Sequence, residues 1–435
     1  MRLARRTLLA SLLASVAAPA VLRSARGEAA PVTLKLHHYF SSVSSVHDKF
    51  LAPWARKLEA DSSGRIRVDI FPSMQLGGAP AQLFDQLRDG TADIVWAAPS
   101  HTGGDFPKIG VFELPFVASR RALVSSKAIQ EFGAANLKDE FRDIHPLCFA
   151  CRDRGVIHAK RAIQSIADIK GLKLHVQNPL AAAAMAALGA QGMPMPVPQV
   201  PMALAQHVID GCLDPWGVVP AQKLYDLKFH TEFPDQTPST TAFVLAMNRD
   251  IYDRLPRDLK AVVDANAGTA AAAMAGAMWD ADAATAAGAA RERGDGFVVL
   301  SPEEALRWRK ATAPVVTAWL EQMKERHVGG GKLLAGARTL IAKYATEPEP
   351  QPPQPPEIES KSQVAQPPAP PDRVMTAQPQ PAPSPPQIKA ELPAPAKPIL
   401  RQVPASPPPP AAPSVPVAKP TPAVLPKPKE LDIPL

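Results

Sequence analysis

Residues able to do chemistry are sparse in this chain, and their spacing decides what chemistry is open to them. Cys148-Phe-Ala-Cys151 has the spacing of a dithiol redox centre. The segment reads as a strand, however, where residues three apart face opposite sides of a sheet and cannot bridge. A redox site would also place its first cysteine at a helix N-terminus. Cys212, with His175 and His207, could offer thiolate and imidazole to zinc or copper, but the three residues lack the compact ligand spacing of a metal site. No Ser-His-Asp arrangement and no glycine-rich phosphate loop stands in a strand-to-helix context. Nothing here demands an enzyme or a cofactor, and what remains is recognition.

The elements that must position recognition residues are alternating strands and helices. Residues 32–37 alternate as a strand, and residues 47–60 place Phe50, Leu51, Trp54 and Leu58 at helical spacing before Ser62-Ser63-Gly64. Residues 65–71 alternate again, giving a parallel strand–helix–strand crossover. Residues 79–88 read as a helix and 92–96 as a buried strand. A second α/β unit begins near Arg154, with strands at 155–158 and 172–176 and helices at 180–188 and 200–209. Residues 241–247 read as a strand returning to the first unit.

Residues 256–293 contain a long alanine-rich helix, whose small side chains allow close packing on both sides and suit an element lying across two lobes. Further helices are expected at 302–326 and 332–344. The expected architecture is therefore α/β and two-lobed, braced by a long helix. Residues 30–152 and 241–280 would form lobe I, and 153–240 and 281–345 lobe II.

Two lobes imply a cleft, and in open α/β sheets ligands sit beyond the carboxyl ends of the strands. That rule points after Val95, to the stretch from His175 through Gln177 to Asn178, and to Asp214 through Gly217. Trp96 and Trp216 are candidate aromatic walls, with ordinary core tryptophan as the competing reading.

The ends differ from this middle. Residues 1–27 read as an export signal, with Arg5-Arg6 before an apolar run of about 15 residues, too short to span a bilayer well. Twin-arginine and general export both fit and both lead to the periplasm; an uncleaved anchor is the alternative. Residues 347–435 hold 30 of the 51 prolines and no aromatic residue, so they cannot build a core and are expected to be a disordered, proline-rich tail. The net charge of +7 includes five arginines of residues 1–27. The basicity is thus mostly an export label, and nucleic acid is set aside as a partner.

Several motifs stand in a characteristic order: Gly90-Thr-Ala-Asp-Ile-Val-Trp96, Val111-Phe-Glu-Leu-Pro-Phe116, Asp168-Ile-Lys-Gly-Leu-Lys-Leu-His-Val-Gln177, Ile209-Asp-Gly211 and Met247-Asn248. Together they resemble the periplasmic solute-binding proteins of tripartite ATP-independent (TRAP) transporters, of the C4-dicarboxylate-binding type. The resemblance runs over nearly all of residues 32–344. It implies a non-enzymatic receptor that closes on a small organic acid and presents it to the membrane subunits of a transporter.

Family members usually carry an arginine where this chain has His175, because a guanidinium fork grips a carboxylate in two places. The resemblance also places the neighbourhood of Arg154 near the ligand, so Arg154 is the candidate replacement cation, a surface pair with Asp153 being the alternative. His207, Gly217 and Asp105 depart from the family pattern in the same neighbourhood, which implies altered specificity. The competing function is a receptor-derived interaction protein that has lost its ligand and works through an unknown partner of its proline-rich tail.

Overall fold

The computed structural model describes residues 31–347; the expected export signal and the tail beyond Glu347 lie outside the described residues. Two sheets organise what is described. The first is built from β1 (Val32–His38), β2 (Ile66–Phe71), β3 (Ile94–Ala97), β4 (Ile144–Cys151) and β10 (Ala242–Asn248), in the order β2-β1-β3-β10-β4. β1 runs parallel to β2 and β3, while β10 runs antiparallel to both β3 and β4. The second sheet comprises β5 (Val156–Ala159), β6 (Lys173–Val176), β7 (Gln191–Pro194), β8 (Gly211–Asp214), β9 (Phe229–Glu232) and β11 (Gly296–Val299), in the order β11-β9-β5-β8-β6-β7. The chain passes between the sheets three times, at residues 152–155, 233–241 and 249–295, the last crossing containing the long helix.

Strand alternation divides the first lobe's core into two layers. On β3, Ile94 and Trp96 face the layer containing Phe50, Trp54 and Trp279, whereas Val95 and Ala97 face the layer containing Phe84, Phe112 and Phe132. β4 does the same with its thiols: Cys148 joins the first layer and Cys151 the second, on opposite faces of one strand. All three cysteines are buried and free.

The long helix, Gly268–Glu292, begins after a break at Asn266–Ala267 that separates it from the helix Arg257–Ala265; Gly268 takes φ +62° there. Its first half packs Ala271, Ala272, Ala275 and Trp279 on the first lobe, and its second half packs Ala283, Ala286, Ala287 and Ala290 against Val156 and Trp216 of the second. Gly276 marks the closest approach. A Cβ built there would stand 2.7 Å from the Cα of Leu123, on the helix Ala122–Asn136.

A second element also spans the lobes. In the helix Pro302–Glu325, Trp308 is buried in the second lobe's core and Trp319 and Met323 in the first lobe's, with Pro314 between them. The last helix, Gly330–Ala345, places Leu333, Leu334, Ala337 and Ile341 in the first lobe's core. The expected assignment of all residues 281–345 to lobe II is corrected accordingly. Apolar periodicity identifies these helices but does not say which sheet their apolar faces meet.

Candidate functional site

The carboxyl ends of β1, β3, β4, β6 and β8 meet at the junction of the lobes. Tyr39, just after β1, lies 5.6 Å from the ring of His101, and the His101 imidazole faces the backbone carbonyl of Gln177, just after β6. Gln177 also accepts a hydrogen bond from Thr241 Oγ1 on the returning segment (3.2 Å), and Asn178 Nδ2 donates to the carbonyl of Thr240 (2.8 Å). Asn178 additionally caps the helix Pro179–Ala187 by accepting from the Ala181 amide, which fixes the strand-to-helix turn.

His175 is fully buried and both of its ring nitrogens are engaged. Nδ1 donates to Asp214 Oδ2 (2.6 Å) and Nε2 donates to the carbonyl of Met195 (2.9 Å). The Met195 carbonyl can only accept, and with Asp214 held toward its carboxylate form the arrangement favours a ring protonated on both nitrogens. Burial by itself would lower the pKa of His175, but the charge and hydrogen bond of Asp214 and the Met195 carbonyl outweigh it, and the net shift is upward. Burial likewise opposes ionisation of Asp214, yet His175 and the hydrogen bond from Gln177 Nε2 to Oδ1 (2.7 Å) hold its pKa below the usual carboxylate value. His175, Asp214 and Gln177 therefore form one hydrogen-bonded chain, and the two N–H groups of His175 are both spent inside it.

Trp216 and Arg154 meet at a different acid. The Trp216 indole donates to Glu232 Oε1 (2.6 Å) and the Arg154 Nη2 donates to the same oxygen (2.8 Å). Burial raises the pKa of Glu232, but Arg154 and Trp216 outweigh it and keep the carboxylate ionised. Trp216 is fully buried, stacked on Phe297, and edge-on to His158, whose Nε2 in turn bonds the backbone carbonyl of Asp214.

Trp96 stands apart from the other candidates. It is a core residue of the first lobe, stacked on Phe243 at 5.2 Å between ring centres, because even-numbered positions of β3 face the helical layer. The expectation of a cleft wall there is corrected. His207 is exposed after the helix Val200–Ala205, away from His175 and Cys212, which are cross-strand neighbours.

Sequence reasoning passed over Arg152. It follows β4, its backbone fixed by a hydrogen bond from its N–H to the carbonyl of Thr241 (3.0 Å) and one from Thr240 Oγ1 to its own carbonyl (2.8 Å). Its side chain is 13% exposed, makes no hydrogen bond among the described residues, and has only Asp153 Oδ1 at 3.8 Å as an ion partner. Burial pushes the Asp153 carboxyl up to about 7. The available signal was three charged residues in a row, Arg152-Asp-Arg154, at a point where the chain leaves one sheet for another.

Comparison with known proteins places this geometry. Residues 36–322 match the family described as bacterial extracellular solute-binding protein, family 7. A TRAP solute-binding protein from Rhodoferax ferrireducens T118, solved with copurified benzoate, is 39% identical, with a TM-score of 0.69 over 72% of this chain and 98% of that one. A marine metagenome TRAP protein described as specific for aromatic acid ligands is 37% identical, with the same TM-score over 72% and 99%. The sialic acid-binding periplasmic protein SiaP of Vibrio cholerae is 31% identical over 48% of this chain and 65% of its own.

The first curated relatives are matched over about half to two-thirds of their length, 62% of one Haemophilus influenzae protein and 48% of a Sinorhizobium fredii one. These likenesses support the TRAP receptor resemblance without singling out its C4-dicarboxylate-binding type. No helix of the described residues is long and apolar enough to cross a membrane. The chain belongs to family 7 of the bacterial extracellular solute-binding proteins and is a non-enzymatic TRAP transport receptor.

Proposed function

We propose that this receptor captures a small aromatic carboxylate in the periplasm and delivers it to the membrane subunits of a TRAP transporter. The observation that carries this reading is the 37–39% identity, over nearly the whole of each solved chain, to receptors holding benzoate or 3-hydroxybenzoate. The site's chemistry agrees. A planar ring needs apolar and aromatic surface, which Tyr39 and Phe40 offer at the end of β1, where their rings stack at 4.3 Å. Its carboxylate needs a cation other than His175, whose donors are already committed to Asp214 and Met195.

Calorimetry with benzoate, 3-hydroxybenzoate, mandelate, succinate and a uronate tests the reading. Aromatic acids should bind at least tenfold more tightly than succinate. At a hundred times its Kd, a ligand should add about 2.7 kcal/mol to stability, visible as a higher melting temperature. A receptor that takes succinate best, or that binds no organic acid, refutes it; the second result would favour the ligand-losing alternative that acts through its tail.

A further inference from the structure

We propose that the guanidinium of Arg152 is the carboxylate anchor of this receptor, taking the role for which neither His175 nor Arg154 is free. The proposal rests on the preceding reading that the ligand is a small organic acid.

His175, Arg154 and Arg152 near the lobe junction differ in what already answers their charge. His175 is closed in a pair with Asp214 at 2.6 Å, with its second N–H on Met195. Arg154 is paired at 2.8 Å with Glu232, which Trp216 holds in place. Arg152 alone of the three has no close acceptor. Its side chain donates no hydrogen bond among the described residues, its Nε is buried without a partner, and its nearest acid oxygen is 3.8 Å away. A buried N–H of a charged group left without an acceptor costs free energy unless one arrives.

The position of Arg152 fits a ligand contact. Its backbone is tied to Thr240 and Thr241 on the segment that returns to β10, so the side chain starts from a fixed point at the crossing between the lobes. On one side its charge acts on the Tyr39 phenol of the first lobe. On the other, Gly217 of the second lobe presents no side chain. A Cβ built there would find Arg152 Nη2 and Asp282 Oδ2 as its nearest atoms, both at 4.0 Å. The absence of a side chain at Gly217, one of the departures from the family pattern, thus leaves room directly beside the guanidinium. An arginine fork can hold both oxygens of a planar carboxylate there.

The protonation of the adjacent acid favours the same outcome. With its pKa raised to about 7 by burial, Asp153 is only partly ionised at neutral pH and competes weakly with an incoming carboxylate.

The test uses the full chain and its Arg152→Gln and Arg152→Lys variants, titrated by calorimetry with benzoate, 3-hydroxybenzoate and neutral benzamide, with thermal melting to check folding. The wild type should prefer benzoate over benzamide by about a hundredfold or more. Arg152→Gln should lose most of that preference, as expected for truncation of a buried charge contact, and Arg152→Lys should lose about tenfold, keeping the charge without the fork. Aromatic acid binding that survives within threefold in Arg152→Gln overturns the anchor and leaves the proposed function standing. Failure of the wild type to bind any organic acid overturns both. Should the variants fail to fold, a structure of the wild type with 3-bromobenzoate decides: a carboxylate outside hydrogen-bond distance of Arg152 overturns the proposal.

Discussion

Replacing Asp214 with asparagine is the sharpest probe of how the second lobe is held. The carboxylate and the His175 ring are both fully buried and 2.6 Å apart. At an effective dielectric of about 20, two unit charges at that separation attract by roughly 6 kcal/mol, much of it cancelled by their desolvation. Removing one member of a buried pair typically costs about 3–5 kcal/mol. Asparagine keeps the shape and one acceptor, so the lower end, about 3 kcal/mol, is expected for Asp214→Asn. With about 2.1 cal/mol/K of unfolding entropy per residue over roughly 300 residues, that is about 1.6 °C per kcal/mol and a fall in melting temperature of roughly 5 °C.

The pH dependence has a definite sign. The pKa of His175 is raised above its ordinary 6.5, so its contribution is full below 6.5 and is lost as pH rises through the raised value. The pKa of Asp214 is depressed below 3.8, so its contribution is full above 3.8 and is lost as pH falls through the depressed value. The gap in melting temperature between wild type and Asp214→Asn should therefore be widest between about pH 4 and 6.5, and should narrow on the alkaline side. Thermal melts of both proteins from pH 4 to 9 measure it. A gap that stays constant across that range would refute the charged pair.

Two further outcomes follow from packing. Gly276→Ala should destabilise by about 1–3 kcal/mol through overpacking against Leu123, whereas Gly288→Ala in the same helix meets nothing within 4 Å and should stabilise by up to about 1 kcal/mol; melting the pair side by side checks both signs. The three thiols, with that of Cys148 pushed up to about 12 by burial, should resist a thiol reagent in the native protein and all react after unfolding.

Much of the fold was legible because its signals are local. The first crossover and the strand at 172–176 follow from alternation or spacing within one segment, and the structure places them within about two residues; the alanine-rich helix ends where expected, at Glu292, but the stretch from residue 256 is broken at Asn266–Ala267 and the long helix begins only at Gly268. The helix Ala122–Asn136 and the short strands β7, β9 and β11 were not read; β7 is Gln-Gly-Met-Pro, a sequence with no strand pattern of its own. The site was legible only in part, for a related reason. His175, Gln177 and Asp214 lie at strand ends that the topology rule picks out, and they do meet. Which arginine of Arg152-Asp-Arg154 is neutralised depends on Glu232, 78 residues beyond Arg154, and no local pattern encodes that pairing. Trp96 failed for a simpler reason, since position along a strand does not tell which of two buried faces a side chain joins.

Pro314 gives the helix Pro302–Glu325 a built-in mechanical character. It lies between Trp308, anchored in one lobe, and Trp319, anchored in the other. Lacking an N–H, it leaves the Lys310 carbonyl without its helical partner, while Thr312 Oγ1 turns back to the carbonyl of Trp308 (3.0 Å). Flexing there breaks one hydrogen bond fewer than flexing elsewhere along the rod. Of all points along this helix, the one between its two tryptophan anchors is therefore where bending costs the fewest hydrogen bonds.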